Sequence, residues 1–170
     1  MSDQSRRTAS RVRLRLATPA DRPMLERWDQ DPVLIEAAGS DGDWNWEVEL
    51  PRIVPWREFL IAELDDRAFG FLQIIDAAEE ETHYWGEIGT GIRAIDIWIG
   101  EPDKRGRGLG TEMMRQAIAH CFADNGCRAI LIDPLASNVR AHKFYEQFGF
   151  RAVDRRMFGD DDCIVYRLDR

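Results

Sequence analysis

The feature that most constrains the fold is the glycine-rich segment Arg-Gly-Arg-Gly-Leu-Gly-Thr at residues 105–111. Residues 95–99 before it alternate in the manner of a β-strand, and apolar residues recur at helical spacing after it. The segment is therefore predicted to join a strand to a helix, with its backbone amides at the helix N-terminus. Such a terminus has unpaired N–H groups and a partial positive charge, so it favours a phosphate. Arg105 and Arg107 would add charge-assisted contacts.

The spacing of the glycines excludes two familiar phosphate-binding loops. The Walker loop requires Gly-Lys-Ser/Thr after its last glycine, and this chain has Gly110-Thr111-Glu112. A dinucleotide fingerprint requires G-x-G-x-x-G in an early βαβ unit, whereas these glycines are spaced differently and lie beyond mid-chain. Taken alone, the segment also fits a tight turn that binds nothing, so its context has to decide between the two interpretations.

Length and composition indicate one globular domain. The chain has 170 residues, of which 44% are apolar, and it contains six tryptophans. We expect residues 1–10 to form a disordered tail and residues 11–170 to form the domain. No apolar run approaches the roughly 20 residues of a membrane helix, and no apolar stretch follows the N-terminal residues as in a secretory signal. The predicted location is cytoplasmic, without a membrane partner.

Cysteine and histidine usage indicates neither a metal site nor a disulfide framework. Cys121, Cys127 and Cys163 are odd in number and lack metal-ligand spacing. The three histidines are scattered along the chain. We therefore expect core thiols in a reducing compartment, no bound metal, and no cysteine that is placed to act as a nucleophile.

The formal net charge of −8 argues against non-specific binding to nucleic acid. The acidity is uneven, because seven acidic residues and no lysine or arginine lie between Arg27 and Arg52. A second acidic stretch lies within residues 76–87. These stretches are typical of solvated loops that maintain solubility, and they would equally create a field that gathers a cationic substrate.

Periodicity and turn residues predict the order β-α-α-β-β-β-α-β-α-β-β, which is a mixed α/β sheet. Helices are predicted from Thr18 to about Asp29, over 109–123 and over 138–148, with a short helical or irregular segment at 32–54. The predicted strands lie at 11–17, 56–64, 68–75, around Asp96, and at 128–133, 150–158 and 163–168. The acidic, glycine-containing loop before the Asp96 strand is predicted to be mobile and able to act as a lid.

Two motifs resemble those of the GNAT N-acetyltransferases. The pattern Arg-x-x-Gly-x-Gly at 105–110 resembles their acyl-coenzyme A pyrophosphate loop. One helix and one strand later, residues 138–150 resemble their N-x-x-A-x-x-F/L-Y-x-x-x-G-F pattern. The resemblance is strong over residues 93–150 and rests on element order in the first half. It implies a splayed central sheet of about six to seven strands, flanked by about four helices, and acetyl-coenzyme A as cosubstrate.

The resemblance also implies roles for individual residues. The side chain of Asn138 would hydrogen-bond the pantetheine arm, and Tyr145 would protonate the leaving thiolate, although core packing is the alternative role for Tyr145. The backbone of Ile97, Trp98 and Ile99 would pair with the pantetheine arm like an added strand. The pyrophosphate would be cradled, mainly by backbone N–H groups, by Arg105, Gly106, Arg107, Gly108, Leu109, Gly110 and Thr111.

Asp96 lies in the middle of a predicted strand, on the face opposite Ile95, Ile97 and Ile99. A carboxylate at such a position is costly unless it is hydrogen-bonded, paired or exposed to a wet cleft. Acceptor amines are mostly protonated at neutral pH, so Asp96 is predicted to bind the ammonium group and take its proton, directly or through water. A structural pair between Asp96 and an arginine is the alternative.

A closer resemblance is to the aminoglycoside 6′-N-acetyltransferases. It rests on Ile95-Asp96, on the fourteen-residue step from Asp96 to Gly110, and on Asp133-Pro134-x-x-Ser137-Asn138. It implies that Asp96 is the base, that Asp133 lines the site of a cationic acceptor, and that Asp160 or Asp161 in the last hairpin does likewise. We add Trp44 as a predicted acceptor-binding aromatic residue. The chain departs from this family across residues 32–90, which leaves the acceptor open.

These observations predict an acetyl-coenzyme A-dependent N-acetyltransferase that is a monomer or a homodimer. A bound amine would attack the thioester directly, and a backbone N–H near Ile97 or Trp98 would stabilise the oxyanion. The favoured acceptor is a polycationic small molecule of aminoglycoside type. The alternatives are a protein N-terminus, as in ribosomal-protein acetyltransferases, a hydroxylated lysine in siderophore assembly, and a non-catalytic acyl-coenzyme A-binding module.

Overall fold

The computed structural model describes residues 11–170, so the predicted tail at 1–10 lies outside the described residues. Over that range seven strands form one sheet in the order β1-β2-β3-β4-β5-β7-β6. The strands are β1 (Val12–Leu16), β2 (Arg57–Leu64), β3 (Arg67–Asp76), β4 (Ile92–Ile99), β5 (Ala129–Ile132), β6 (Arg151–Phe158) and β7 (Asp161–Asp169). The helices are α1 (Arg22–Trp28), α2 (Pro32–Ala38), α3 (Trp46–Glu49), α4 (Leu109–Ala123) and α5 (Val139–Glu146). The predicted mixed α/β sheet is confirmed.

The hairpin between β2 and β3 has a tighter turn than the sequence predicted. Asp65 and Asp66 alone form the turn, and both have positive φ, at 51° and 62°. Two consecutive left-handed residues match the right-handed twist of the flanking strands. The ladder therefore begins at Leu64 and Arg67, and Arg67 belongs to β3 rather than to the turn.

The contact between β4 and β5 gives the sheet its opening. These two strands are parallel and pair over only three positions, from Ile92 with Ala129 to Ala94 with Leu131. On its other side β4 pairs with β3 along its length as far as Ile99. Because β5 ends at Ile132, residues 95–99 of β4 have no partner strand on the β5 side. The predicted splay is thus located at residues 95–99.

The two faces of the sheet are covered by different helices. One face packs on α4 and α5, and its core contains Leu72 and Ile95 together with Met113 and Met114 of α4. The other face carries α1 and α3, where Trp28 and Trp46 are buried. Because successive side chains along a strand point to opposite faces of the sheet, alternate residues of β3, β4 and β5 share the second face. They are Phe71, Gln73, Ala94, Asp96, Trp98, Leu131 and, just after β5, Asp133.

The segment 32–54, predicted as one helical or irregular stretch, contains two short helices, α2 and α3, joined through a 3-10 turn at Gly39–Gly42. The helix predicted from Thr18 begins as a 3-10 turn, Pro19–Asp21, before α1. Asp21 accepts hydrogen bonds from the Thr18 N–H at 2.8 Å and from Arg15 at 2.7 and 2.8 Å. None of the helices in residues 11–170 is long and apolar enough to cross a membrane.

Candidate active site

A cavity of about 390 Å³ opens on the second face of the sheet, where β4 and β5 diverge. Its wall combines aromatic rings with carboxylates. The rings come from Trp44, Trp56, Tyr84, Trp85, Trp98 and Tyr145, and the carboxylates from Asp29, Asp41, Glu80, Asp96, Asp133 and Asp161. Aromatic faces and carboxylates together suit a ligand that is bulky, hydroxylated or apolar in part, and positively charged.

Asp96 and Asp133 both line the cavity at the start of the opening, close enough for their charges to interact. Counting on from the pair Ala94 and Leu131 puts both carboxylates at equivalent positions of the two diverging strands. Gln73 stands directly opposite Asp96 on β3 and donates a hydrogen bond from its Nε2 to Asp96 Oδ2. The hydroxyl of Tyr84 donates to Asp133 Oδ2 at 2.5 Å. Asp96 is therefore held by an amide rather than paired with an arginine.

Burial and mutual repulsion perturb both carboxyl groups. Removal from water raises the pKa of Asp96, and the hydrogen bond from Gln73 opposes this shift only in part. Burial also raises the pKa of Asp133, and the nearby charge of Asp96 raises it further. The two groups titrate as a pair, above the usual range of aspartic acid. A carboxylate with a raised pKa is a better proton acceptor for an ammonium group.

This shift has a consequence for stability, which we expect to see in the Asp133→Asn variant. A carboxyl group whose pKa is raised in the folded state costs stability progressively as the pH rises from its unfolded-state pKa toward that raised value, because the unfolded chain gains free energy by ionising and the buried group does not. The variant should therefore be more stable than the wild type at pH 8, on the order of 1 kcal/mol, and nearly equal to it at pH 4. Thermal unfolding at both pH values tests this. A gap that is as large at pH 4 as at pH 8 would contradict it.

Tyr145 projects from α5 into the same cavity. Its ring is buried against Phe150 and Tyr166. Within residues 11–170 its hydroxyl makes no hydrogen bond, although the ring is largely enclosed. Burial, followed by the charges of Asp96 and Asp133, raises the pKa of this phenol. The hydroxyl therefore stays protonated at neutral pH, as a proton donor must.

Cys163 lines the cavity, a position that the sequence did not predict. It lies on β7, third in that strand, and its side chain is buried beside Asp133. Burial and the neighbouring carboxylates raise its pKa to about 12. Since the thiolate is the nucleophilic form, this thiol is a poor nucleophile at neutral pH. All three cysteines are free and buried.

The unpaired edge of β4 and the start of α5 form the opposite side of the opening. Residues 97 and 98 line the cavity, while Ile97 and Ile99 also pack on the α4 face of the sheet. Asn138 is the N-cap of α5, and its Oδ1 accepts a hydrogen bond from the Ala141 N–H at 3.1 Å. The Oδ1 of Asn138 is thus engaged within the helix, which leaves its amide nitrogen available for a ligand.

The glycine-rich loop leads into α4 as predicted. Gly106 and Gly108 have φ values of +68° and +77°, and a Cβ built on either would meet no atom within 4 Å. Gly108 is the N-cap and has no side chain to satisfy the first N–H groups of the helix, which include those of Leu109, Gly110 and Thr111. The space beside Gly106 and Gly108 is open, and unpaired amides at a helix N-terminus suit a phosphate group.

The arginines of this loop differ in what they contact. Arg105 donates to the Ile99 carbonyl at 3.1 Å and forms an ion pair with Asp31 at 2.8 Å. Its guanidinium therefore links the loop to β4 and to the start of α2. A phosphate contact by this side chain, as predicted, would have to replace or share these two interactions. Arg107 is exposed and makes one long contact, 3.4 Å, with the Asp103 carbonyl. Arg107 is the freer cation of the two.

Of the other residues predicted to bind the acceptor, two line the cavity and one does not. Trp44 lines it and stacks on Trp46, with ring centres 4.9 Å apart. Asp161 lines it too and accepts hydrogen bonds from the N–H and hydroxyl of Ser40 at 2.9 and 2.6 Å. Asp160 is exposed in the β6–β7 turn and is not part of the cavity wall. Of the two candidates in this hairpin, the structure brings Asp161 to the site.

Two contributors were not predicted from the sequence. Gln73 is 5% exposed, and its Oε1 is buried without a hydrogen-bond partner in the described part of the chain. It is the one amide in the otherwise apolar segment 68–75 of β3. A single polar side chain in such a segment could have indicated a site residue. Tyr84 was hidden in a loop that was expected to be mobile. In the structure Glu80 fixes that loop by accepting from the Thr82 and Tyr84 N–H groups at 2.8 and 2.9 Å.

An open strand edge, a glycine-capped helix terminus and carboxylates near a buried phenol are the groups that an acyltransferase acting on an acyl-coenzyme A needs. Comparison with known proteins identifies the particular family. The model of the GNAT acetyltransferase domain matches residues 17–158. The chain belongs to this family and is an N-acetyltransferase with acetyl-coenzyme A as its acyl donor.

Relatives and solved structures agree with this assignment. The aminoglycoside N(6′)-acetyltransferase type 1 of Klebsiella pneumoniae is 31% identical over 148 residues, which are 82% of this chain and 73% of the relative. A kanamycin resistance protein of Rhizobium radiobacter is 36% identical over 72 residues, 42% of this chain and 67% of the relative. The structure of aminoglycoside acetyltransferase AAC(6′)-Ib with coenzyme A and kanamycin is 28% identical, with a TM-score of 0.83 over 94% of this chain and 95% of that chain.

Proposed function

We propose that this enzyme transfers the acetyl group of acetyl-coenzyme A to a primary amine of an aminoglycoside-like polycation. The observation that carries the proposal is the set of carboxylates in the cavity wall, with Asp96 and Asp133 adjacent at the opening of the sheet. Such a wall attracts a ligand with several ammonium groups. The relatives named for aminoglycoside acetylation, and the solved complex with kanamycin, support the same acceptor class.

In this proposal each catalytic residue has one task. Asp96 binds the ammonium group of the acceptor and removes its proton, directly or through water, so that the nitrogen lone pair can form the new bond to the acyl carbon. Backbone N–H groups at the open edge of β4, near Ile97 or Trp98, stabilise the oxyanion. Tyr145 gives its proton to the sulfur as the carbon–sulfur bond breaks. Acetyl-coenzyme A, when bound, supplies the activated acetyl group.

The pyrophosphate and pantetheine portions of the donor have separate places in this proposal. The backbone of residues 105–111 holds the pyrophosphate at the start of α4, and Arg107 adds its charge. Asn138 donates from its amide nitrogen to the pantetheine arm. Ile97, Trp98 and Ile99 pair with that arm through their backbone, although the Ile99 carbonyl already accepts from Arg105.

We expect the Tyr145→Phe variant to lower kcat by roughly a hundredfold, because a positioned general acid contributes about that much. Phenylalanine keeps the ring contacts with Phe150 and Tyr166, so the fold should be unaffected. Steady-state kinetics, with thermal unfolding as the control for folding, measures the effect. An unchanged kcat would assign Tyr145 to core packing.

An acceptor screen tests the proposed function. Thiol release from acetyl-coenzyme A should be fast with kanamycin-like amines and slow with basic peptides or with hydroxylysine. Preference for a peptide N-terminus or for hydroxylysine would replace the aminoglycoside proposal with the corresponding alternative. Tight coenzyme binding without turnover of any amine would favour a non-catalytic binding module.

A further inference from the structure

One hydroxyl in the cavity lies between two carboxylates and can donate to only one of them. Tyr84 Oη is 2.5 Å from Asp133 Oδ2 and 3.4 Å from Asp41 Oδ2. A phenol has a single proton, so the shorter contact assigns the donated hydrogen bond to Asp133. One oxygen of Asp133 is thereby engaged within the protein, and the other oxygen remains for a ligand.

The position of this hydroxyl is set by aromatic contacts of the Tyr84 ring and by a hydrogen bond of its backbone. The ring stacks on Phe158 with centres 4.3 Å apart and planes within 4° of each other. It also meets the edge of Trp85 at 5.3 Å. Its backbone N–H donates to Glu80, which is itself buried. The ring and the backbone of Tyr84 are thus both held by neighbouring residues, which places its hydroxyl beside Asp133.

Asp133 needs such a partner, because its surroundings oppose its charge. Burial and the charge of Asp96 raise the pKa of Asp133 to about 8, and the hydrogen bond from Tyr84 opposes this rise without cancelling it. A protonated Asp133 would no longer attract an ammonium group. The titratable groups that face Asp133 come from β4, the 39–42 turn, the 77–91 loop, α5 and β7, and they are Asp96, Asp41, Tyr84, Tyr145 and Cys163.

We propose that Tyr84 is a positioning residue for acceptor selection: its hydroxyl holds the Asp133 carboxylate so that Asp133 binds an ammonium group of the acceptor other than the amine at Asp96. This inference rests on the proposed function. It predicts that the enzyme discriminates between acceptors by whether they carry a second ammonium group. This discrimination depends on the hydrogen bond that the Tyr84 hydroxyl donates to Asp133.

The Tyr84→Phe variant tests the proposal, because it keeps the stack on Phe158 and removes only the hydroxyl. For kanamycin we expect kcat/KM to fall about tenfold, chiefly through a higher KM. For an amino sugar with a single amine we expect a change below about twofold. The acidic limb of the kcat/KM profile for kanamycin should also move to higher pH, since Asp133 then ionises less readily.

A double-mutant cycle with Asp133→Asn separates positioning from a general structural effect. In the Asp133→Asn background, Tyr84→Phe should cause no further loss with kanamycin. Tyr166→Phe is the matched control, because its hydroxyl contacts His142 and Glu146 away from the cavity wall. We expect this control to leave the ratio of the two acceptors unchanged.

Three outcomes would overturn the proposal. They are equal losses with both acceptors, additive effects of Tyr84→Phe and Asp133→Asn, and an unshifted pH profile. Failure of the proposed function has a different signature, since the wild type would then acetylate no aminoglycoside at all. A wild type that acetylates kanamycin, combined with a Tyr84→Phe variant of unaltered preference, refutes the Tyr84 assignment alone.

Discussion

We expect the Asp96→Asn enzyme to bind coenzyme A as the wild type does and to turn over its acceptor about a hundredfold or more slowly. Asparagine has the shape of aspartic acid and can still accept the hydrogen bond from Gln73 through its side-chain oxygen. It cannot take a proton from an ammonium group. The loss should therefore appear in kcat, because the proposed pyrophosphate site at residues 105–111 is not part of the cavity wall that holds Asp96.

Steady-state kinetics and calorimetric titration of coenzyme A measure the two quantities separately. Asp76→Asn is a suitable control, because Asp76 is a strand carboxylate that pairs with Arg93 at 2.7 Å outside this cavity. We expect this control to retain the wild-type kcat. Asp96→Asn with normal turnover would show that Asp96 is structural and that the base lies elsewhere.

The second large effect concerns stability, and we expect it in the Gly100→Ala variant. A Cβ built on Gly100 would lie 1.9 Å from a ring atom of Trp28. Trp28 is 2% exposed, and its Nε1 donates to Glu101 at 2.9 Å, so the ring cannot move aside. Overpacking at such a site costs about 3 kcal/mol, which lowers the melting temperature of a chain this size by roughly 6–12 °C.

Gly110→Ala is the matched control for this experiment. A Cβ on Gly110 would meet Ile99 and Phe144 at 3.6 and 3.8 Å, which is ordinary van der Waals contact. Since Gly110 lies in α4, alanine there should leave stability unchanged or raise it by up to about 1 kcal/mol. Thermal unfolding of both variants decides the matter. Equal melting temperatures for Gly100→Ala and the wild type would mean that Trp28 does not pack as described.

Strand alternation and helical spacing are local patterns, and they were enough to predict which face or element a residue belongs to. Alternation along β4 correctly separated Asp96 from Ile95 and Ile97, and the helix pattern placed Tyr145 on α5. The cavity, by contrast, combines residues far apart in the chain. Gln73 meets Asp96 across the β3–β4 ladder, and Tyr84 reaches Asp133 across 49 positions. Such contacts depend on strand register and loop conformation, which local periodicity does not specify.

Arg105 illustrates a second limit. A cation beside glycines at a helix N-terminus predicts a phosphate ligand, and the local pattern contains nothing against it. In the structure its partner Asp31 is 74 positions away in the acidic first half of the chain. Some of the acidic residues that the net charge suggested for a cationic substrate are thus engaged in internal ion pairs. Composition alone could not distinguish Asp31 from Asp41, which faces the cavity.

The open edge of β4 has a consequence beyond donor binding. An unpaired strand at the outside of a sheet is a template for association with other chains. Here the unpaired stretch at residues 95–99 belongs to the fourth of seven strands, inside the molecule, with β5 and α5 beside it. This place makes the stretch less accessible to another folded chain than the outer strands β1 and β6 are. The edge proposed to pair with the pantetheine arm is therefore also one whose place inside the sheet limits edge-to-edge association.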